Sequence, residues 1–301
     1  MSERLRVILS YLIVCTVWGS SWLAIKVTIE TIPPLLGASL RFLSAGLILA
    51  VIVYLRKISI PFDSRSHKLY LTISLTSFAV PFSLVYWGEQ YVSSGLAAIL
   101  FATFPFSVAM FSYFFLPNEK LTPPKIFGML VSFVGICVIF AKDIAIGNQQ
   151  TIFGMFAIIG SAMLQGYSAI VVKKHGGNLS SLATIFIPTL YSGVFLLIAS
   201  ILVENYSTIQ FTTSSTIAIL YLALFATVLT FISYYWLLKR VQAVMLSLTA
   251  FITPIVAVVL GMLLLKETLA SQTYFGALCV LCGILIANSK GIVEMLNKTK
   301  N

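Results

Sequence analysis

The chain has 301 residues, 59% of them hydrophobic and only 9% charged, and carries a formal net charge of +10. That composition supplies too little polar surface for a soluble fold, so the bilayer is its solvent. Its positive charge does not describe a nucleic-acid groove, which would gather Lys and Arg on one folded face; here they sort among the loops.

Apolar runs of roughly 20 residues, the length that crosses about 30 Å of hydrocarbon, predict helices at residues 7–29, 35–55, 69–88, 94–116 and 126–141. Five more follow at 152–172, 182–203, 216–238, 243–265 and 272–288. The expected fold is all-α, a polytopic membrane protein of ten transmembrane helices. Arg4 and Arg6 precede the first run as in a signal peptide, but the run is too long for one and more spans follow. Continuous apolar runs also exclude a β-barrel, whose short strands alternate apolar and polar positions.

With the N-terminus inside, fifteen of the nineteen Lys and Arg fall in cytoplasmic segments, from Arg4 and Arg6 to Lys298 and Lys300. Opposite-side loops hold only Lys142 and Lys266, while Lys26 and Arg41 sit inside spans. Positive-inside sorting therefore predicts that both termini are cytoplasmic, in agreement with an even number of spans. Short loops and the lack of a transit segment favour a multi-pass protein of a bacterial cytoplasmic (inner) membrane.

Sliding the chain against itself by 148 or 149 residues aligns its halves. Tyr86-Trp87 falls on Tyr235-Trp236, Val92 on Val241 and Pro105 on Pro254; Glu119, Leu121, Gly128 and Gly135 fall on Glu267, Leu269, Gly276 and Gly283. Near the start of each half, with the offset reduced to 147, Gly19, Ser21 and Lys26 fall on Gly166, Ser168 and Lys173. The predicted units are residues 1–142 and 143–301. Five spans per unit is odd, so the second unit enters the membrane inverted, an arrangement that supports alternating access around a midplane site.

One family pattern combines Val17-Trp18-Gly19-Ser20-Ser21, Leu40-Arg41-Phe42 and the stretch from Tyr86-Trp87 through Pro105 to Glu119-Lys120-Leu121. The second half repeats it with Pro254 and Glu267-Thr268-Leu269, though it opens on Leu164-Gln165-Gly166-Tyr167, without the tryptophan. Over nearly its whole length the chain resembles the drug/metabolite transporter superfamily, in particular its EamA-type branch with two five-helix repeats. The resemblance implies a secondary transporter that exports small organic metabolites, such as amino acids or drugs, through a cavity between the halves.

Trp18 and Ser21 lie mid-span in the first helix, and Gln165, Tyr167 and Ser168 at the matching depth of the sixth. Aromatic rings beside a few hydrogen-bonding groups suit a substrate leaving water, while the small residues equally suit close helix packing. Tyr86, Trp87, Tyr235 and Trp236 stand near the ends of the third and eighth spans, as interfacial anchors or, facing inward, as gates at opposite faces. Arg41 costs about 2.5 to 3.5 kcal/mol at a span centre; pairing within the fold, a substrate carboxylate and an interfacial position are the alternatives. Lys26 is one turn from Glu30, so that an i, i+4 pair and snorkelling are both open.

Pro105 and Pro254 free backbone carbonyls and are the paired hinge candidates. Gly128 and Gly135, like Gly276 and Gly283, are spaced for close helix packing, and Glu119 and Glu267 are expected to favour the starts of the helices that follow them. Cys15, Cys137, Cys279 and Cys282 lie in spans, and the C-x-x-C lacks a His or second pair, so no metal or cofactor is expected. The expected partners are a small-molecule substrate and the lipid bilayer, for a monomer or homodimer.

No carboxylate falls at a span midplane and no Walker loop occurs, which leaves the energy source open. A channel or lipid flippase is the rival reading. An intramembrane enzyme would need a buried His, paired Asp or G-x-S-x-G, whereas His67 and His175 fall in loops.

Overall fold

The computed structural model describes residues 3–115, 122–146, 148–177, 179–207, 209–240, 246 and 249–298. Glu119, Leu121 and Val241 of the repeat alignment, and Lys120 of the family pattern, lie outside the described residues. Every regular element described is helical, because a chain in hydrocarbon must satisfy its backbone groups within itself. Seven helical runs, from Leu5–Ile29 to Thr213–Leu238, are long and apolar enough to cross a membrane, and Ile126–Ile139, Ile252–Leu264 and Ser271–Ala287 are shorter apolar helices.

The first half comprises α1 (Glu3–Ile29), α2 (Pro34–Leu55), α3 (Ser64–Ile73), α4 (Val80–Gly88), α5 (Ser94–Phe101), α6 (Phe104–Phe115) and α7 (Pro123–Ile146). The second comprises α8 (Gln149–His175), α9 (Ser181–Val203), α10 (Thr213–Tyr221), α11 (Thr230–Leu238), α12 (Thr249–Leu264) and α13 (Ser271–Lys298). Side-chain oxygens of Asp63, Ser93, Asn148, Ser180 and Thr212 cap the helices they precede. At Asp63 the bonds from the Ser66 hydroxyl and backbone N–H hold the exposed carboxyl below the usual carboxylate range.

The third and eighth predicted helices are not uniform. A π-helical segment, Ser74–Ala79, joins α3 to α4, and another, Leu222–Leu229, joins α10 to α11. They occupy equivalent places in the two halves, since Ser74 and Leu222 are separated by the repeat offset of 148 residues. The wider turn lets the hydroxyls of Thr227 and Thr230 donate to carbonyls five residues back, on Leu222 and Phe225, at 2.9 and 2.8 Å.

The fourth predicted helix is broken at Ala102 and Thr103, where the Thr103 hydroxyl donates to the Leu100 carbonyl at 2.8 Å. Pro105 is the second residue of α6, where its missing N–H is harmless. Pro254 instead lies inside α12, where it removes one i to i−4 bond.

Helix α2 packs on α9, α4 and α6 on α8, and α1 on α12 and the α10–α11 run, so the core is shared between the halves. Helices α7 and α13 pack chiefly on each other. Their contact runs through the recurring glycines: a Cβ on Gly128 would sit 2.3 Å from the Gly283 carbonyl oxygen, and one on Gly135 would sit 2.6 Å from that of Gly276. Only hydrogens at these positions let the two backbones approach so closely.

Two charged residues depart from the sequence expectation. Lys26 does not rely on Glu30; its ammonium donates to the carbonyls of Glu89 and, at 3.0 Å, Val92, capping the end of α4. Glu267 does not cap the helix that follows it. The left-handed backbone of Lys266, φ 55°, turns the chain so that the Glu267 carboxylate accepts from the N–H of Ser94 at 2.9 Å, its hydroxyl at 2.8 Å and the N–H of Gly95 at 3.3 Å. A carboxylate of one half thus holds the start of α5 in the other.

Candidate functional site

Two adjoining cavities share Trp18, Phe101, Gln165, Phe231 and Thr253 in their walls. They form one chamber in the middle of the bundle. Helix α1 contributes Trp18, Ser21, Trp22 and Ile25, α2 contributes Arg41, and the break after α5 leaves Phe101 and Ala102 facing it. From the second half come Gln165 on α8, Phe231, Tyr234 and Tyr235 on α11, and Thr249 and Thr253 on α12. A narrower cavity shares Phe104, Ala169 and Tyr234 with the chamber and continues to Lys173 and Leu238, near the ends of α8 and α11.

Trp18 is held from the second half. Its indole N–H donates to the Ala226 carbonyl in the second π-helical segment at 3.3 Å, and its ring meets Phe231 and Tyr234 at centroid distances of 5.2 and 5.1 Å. Trp22 packs on Phe101 at 5.3 Å. Edge and tilted ring contacts of this kind make a rigid apolar wall. Ser21 turns its hydroxyl back to the Trp18 carbonyl at 2.8 Å, and the Gln165 amide donates to Ser161 at 3.2 Å, leaving its oxygen available.

Arg41 is 1% exposed. Its Nε donates to Thr227 Oγ1 at 2.9 Å, and its guanidinium lies 4.4 Å from the Phe82 ring centre and 5.2 Å from that of Phe42. These cation–π contacts offset part of the cost of burying the charge. The buried Nη1 has no hydrogen-bond partner. Glu89 is fully buried nearby, close enough to Arg41 and Lys26 to interact electrostatically, and neither carboxylate oxygen has a hydrogen-bond partner. Glu89 directly follows the predicted helix at 69–88, and nothing in the local sequence signals its burial.

The residues singled out in the sequence separate into groups. Trp18, Ser21, Arg41, Gln165 and Tyr235 are brought together around the chamber. Tyr86 and Ser168 are fully buried behind its wall, their hydroxyls without hydrogen-bond partners. Tyr167 turns to Phe111 and Phe115, at 5.4 and 5.9 Å. Trp87 is 39% exposed and packs edge-on against Tyr91, while the Trp236 ring lies under the Arg240 guanidinium at 4.3 Å. These last three do not line the chamber. Trp22, Phe82, Phe101 and Phe231 do, yet their sequence contexts match any other apolar stretch of a span. Among the described residues no three His, Cys, Asp or Glu gather to hold a metal.

The sequence model of the EamA-like transporter family matches residues 5–141 and again residues 152–289. An uncharacterized transporter of Buchnera aphidicola subsp. Schlechtendalia chinensis is 31% identical over 260 residues, covering 86% of this chain and 85% of that protein. Protein PagO of Salmonella typhimurium is 30% identical over 256 residues, covering 85% and 84%, and the inner membrane transporter YedA of Escherichia coli K12 is 30% identical over 256 residues, covering 84% and 81%. A solved protein structure aligns with a TM-score of 0.69 over 95% of this chain and 97% of its own, at 16% identity, and so shares the fold.

Proposed function

We infer, since this chain belongs to the EamA-like transporter family, that it is a secondary transporter exporting a small organic metabolite across the cytoplasmic membrane by alternating access. The family is one of transporters, and the Buchnera and Escherichia coli relatives are named transporters, not enzymes. The observation that carries the proposal is the chamber itself, whose walls come from both halves and combine aromatic rings with a few polar groups.

In this reading all ten apolar helices cross the membrane as two inverted five-helix units, residues 1–142 and 143–301, with both termini in the cytoplasm. Loop-charge parity and the odd number of spans per unit support it. The narrow cavity toward Lys173 then leads to the cytoplasmic face. Trp18, Ser21, Arg41, Gln165 and Tyr235 contact the substrate, Tyr86 and Ser168 back them, and Tyr167, Trp87 and Trp236 steady the helix ends. The helix break before Pro105 and the missing bond at Pro254 are the points at which each half flexes.

The test is counterflow. Purified protein in liposomes is loaded with unlabelled solute and followed with labelled neutral, aromatic and anionic metabolites, with Trp18→Ala and Arg41→Ala in parallel. Saturable exchange that falls in both variants is expected; a flux that does not saturate would instead indicate a channel.

A further inference from the structure

We propose that the transported solute carries a carboxylate that binds Arg41 and lacks an ammonium group, so that organic acids are preferred over amino acids and cationic drugs. This deepens the transport reading and rests on it.

The first observation is the charge of the pathway. Among the described residues lining the chamber and its narrow extension, Arg41 and Lys173 are the basic ones, and no Asp or Glu lines either. An anion therefore meets the Arg41 cation in the chamber wall, and an ammonium meets no lining carboxylate. Glu89 does not change this, because its carboxylate oxygens are buried behind the wall.

The second observation is the incomplete hydrogen bonding of Arg41. A guanidinium has five N–H donors in a fixed fork. Here Nε is used by Thr227, the planar face rests on Phe82 and Phe42, and Nη1 is buried without a partner. A carboxylate is the natural complement of a guanidinium, because the fork matches two oxygens at once. Arg41 is itself part of the chamber wall, so a carboxylate in the chamber meets the guanidinium there, while Nη1 stays behind the wall, as the Glu89 oxygens do.

The third observation concerns the solute's body. Trp18, Trp22, Phe82, Phe101 and Phe231 surround the same space, and an aryl or branched alkyl group fits rings that are already fixed by their neighbours. The amide oxygen of Gln165 and the Ser and Thr hydroxyls accept from a neutral N–H or O–H without neutralising an ammonium.

The experiment compares solutes of one shape. Proteoliposome counterflow is measured for 3-phenylpropanoate, 3-phenylpropanamide and 3-phenylpropan-1-amine, with phenylalanine as the zwitterionic member, in wild type, Arg41→Gln and Arg41→Lys. Wild type should exchange the propanoate at least about tenfold faster than the other three, the scale of one charge-assisted hydrogen bond. Arg41→Gln should bring the propanoate down to the amide's rate, and Arg41→Lys should retain part of the preference. Faster or equal exchange of the amide, the amine or phenylalanine in wild type overturns the inference while the transport reading stands. No saturable exchange of these or of other neutral and cationic metabolites, by protein that keeps its melting transition, overturns both. If Arg41→Gln loses that transition, the wild-type comparison alone decides.

Discussion

Arg41 Nε donates to Thr227 Oγ1 at 2.9 Å and joins α2 of the first half to the second π-helical segment, 186 residues away. The threonine can accept because its own proton is committed to the Leu222 carbonyl at 2.9 Å. One hydroxyl thus fixes the azimuth of a buried cation that the proposed chemistry uses.

Thr227→Val keeps the shape and removes the acceptor, leaving a second donor of Arg41 unmatched. Stability should fall by about 1–3 kcal/mol, and Thr227→Ser should restore most of it. Thermal unfolding in detergent reads both, and a valine variant as stable as wild type would show that the bond contributes nothing.

Glu267 caps α5 from the other half of the chain with two backbone bonds and one from the Ser94 hydroxyl. Glu267→Ala should lower stability by about 1–3 kcal/mol, the range for orphaned buried donors. Glu204→Ala should act similarly, because its carboxylate accepts from the N–H groups of Leu35 and Leu36 at 2.7 and 3.0 Å. Chemical denaturation of the purified variants is the measurement; an unshifted midpoint for either would refute its capping role.

Gly128→Ala places a methyl 2.3 Å from the Gly283 carbonyl oxygen, whereas at Gly160 the nearest neighbour is a flexible leucine tip 3.8 Å away. The first substitution should cost about 1–3 kcal/mol by forcing α7 and α13 apart. The second should be neutral or stabilise by up to about 1 kcal/mol, since alanine favours helix over glycine. Equal melting temperatures for the two variants would contradict the close contact.

Trp18→Ala should lower exchange flux about tenfold, from the loss of two ring contacts worth about 0.5–1.5 kcal/mol each. Trp87→Ala should leave flux within about 0.5 kcal/mol of wild type, as at most surface sites, because its ring faces away from the chamber. Counterflow rates compared at equal protein incorporation decide this, and parity between the two variants would argue against the assigned wall.

The sequence by itself determined the solvent and the helical class, because a bilayer leaves so apolar a chain few other ways to satisfy its backbone. It also determined the repeat offset and the glycine seam of α7 and α13, which are written in residue type and spacing. Trp18, Ser21, Arg41 and Gln165 were legible as candidates because polar and aromatic residues stand out in mid-span.

Only the tertiary structure decided which groups meet. Tyr86 and Trp87 are adjacent in the chain, yet one is buried behind the chamber and the other faces outward, since neighbouring positions on a helix point about 100° apart. Phe101 and Phe231 read as ordinary apolar residues until helices from both halves close around them. Glu267 capping α5, Lys26 capping α4 and Thr227 holding Arg41 span 63 to 186 residues of sequence. Such bonds depend on where whole helices come to rest, and local pattern carries no record of a partner that distant.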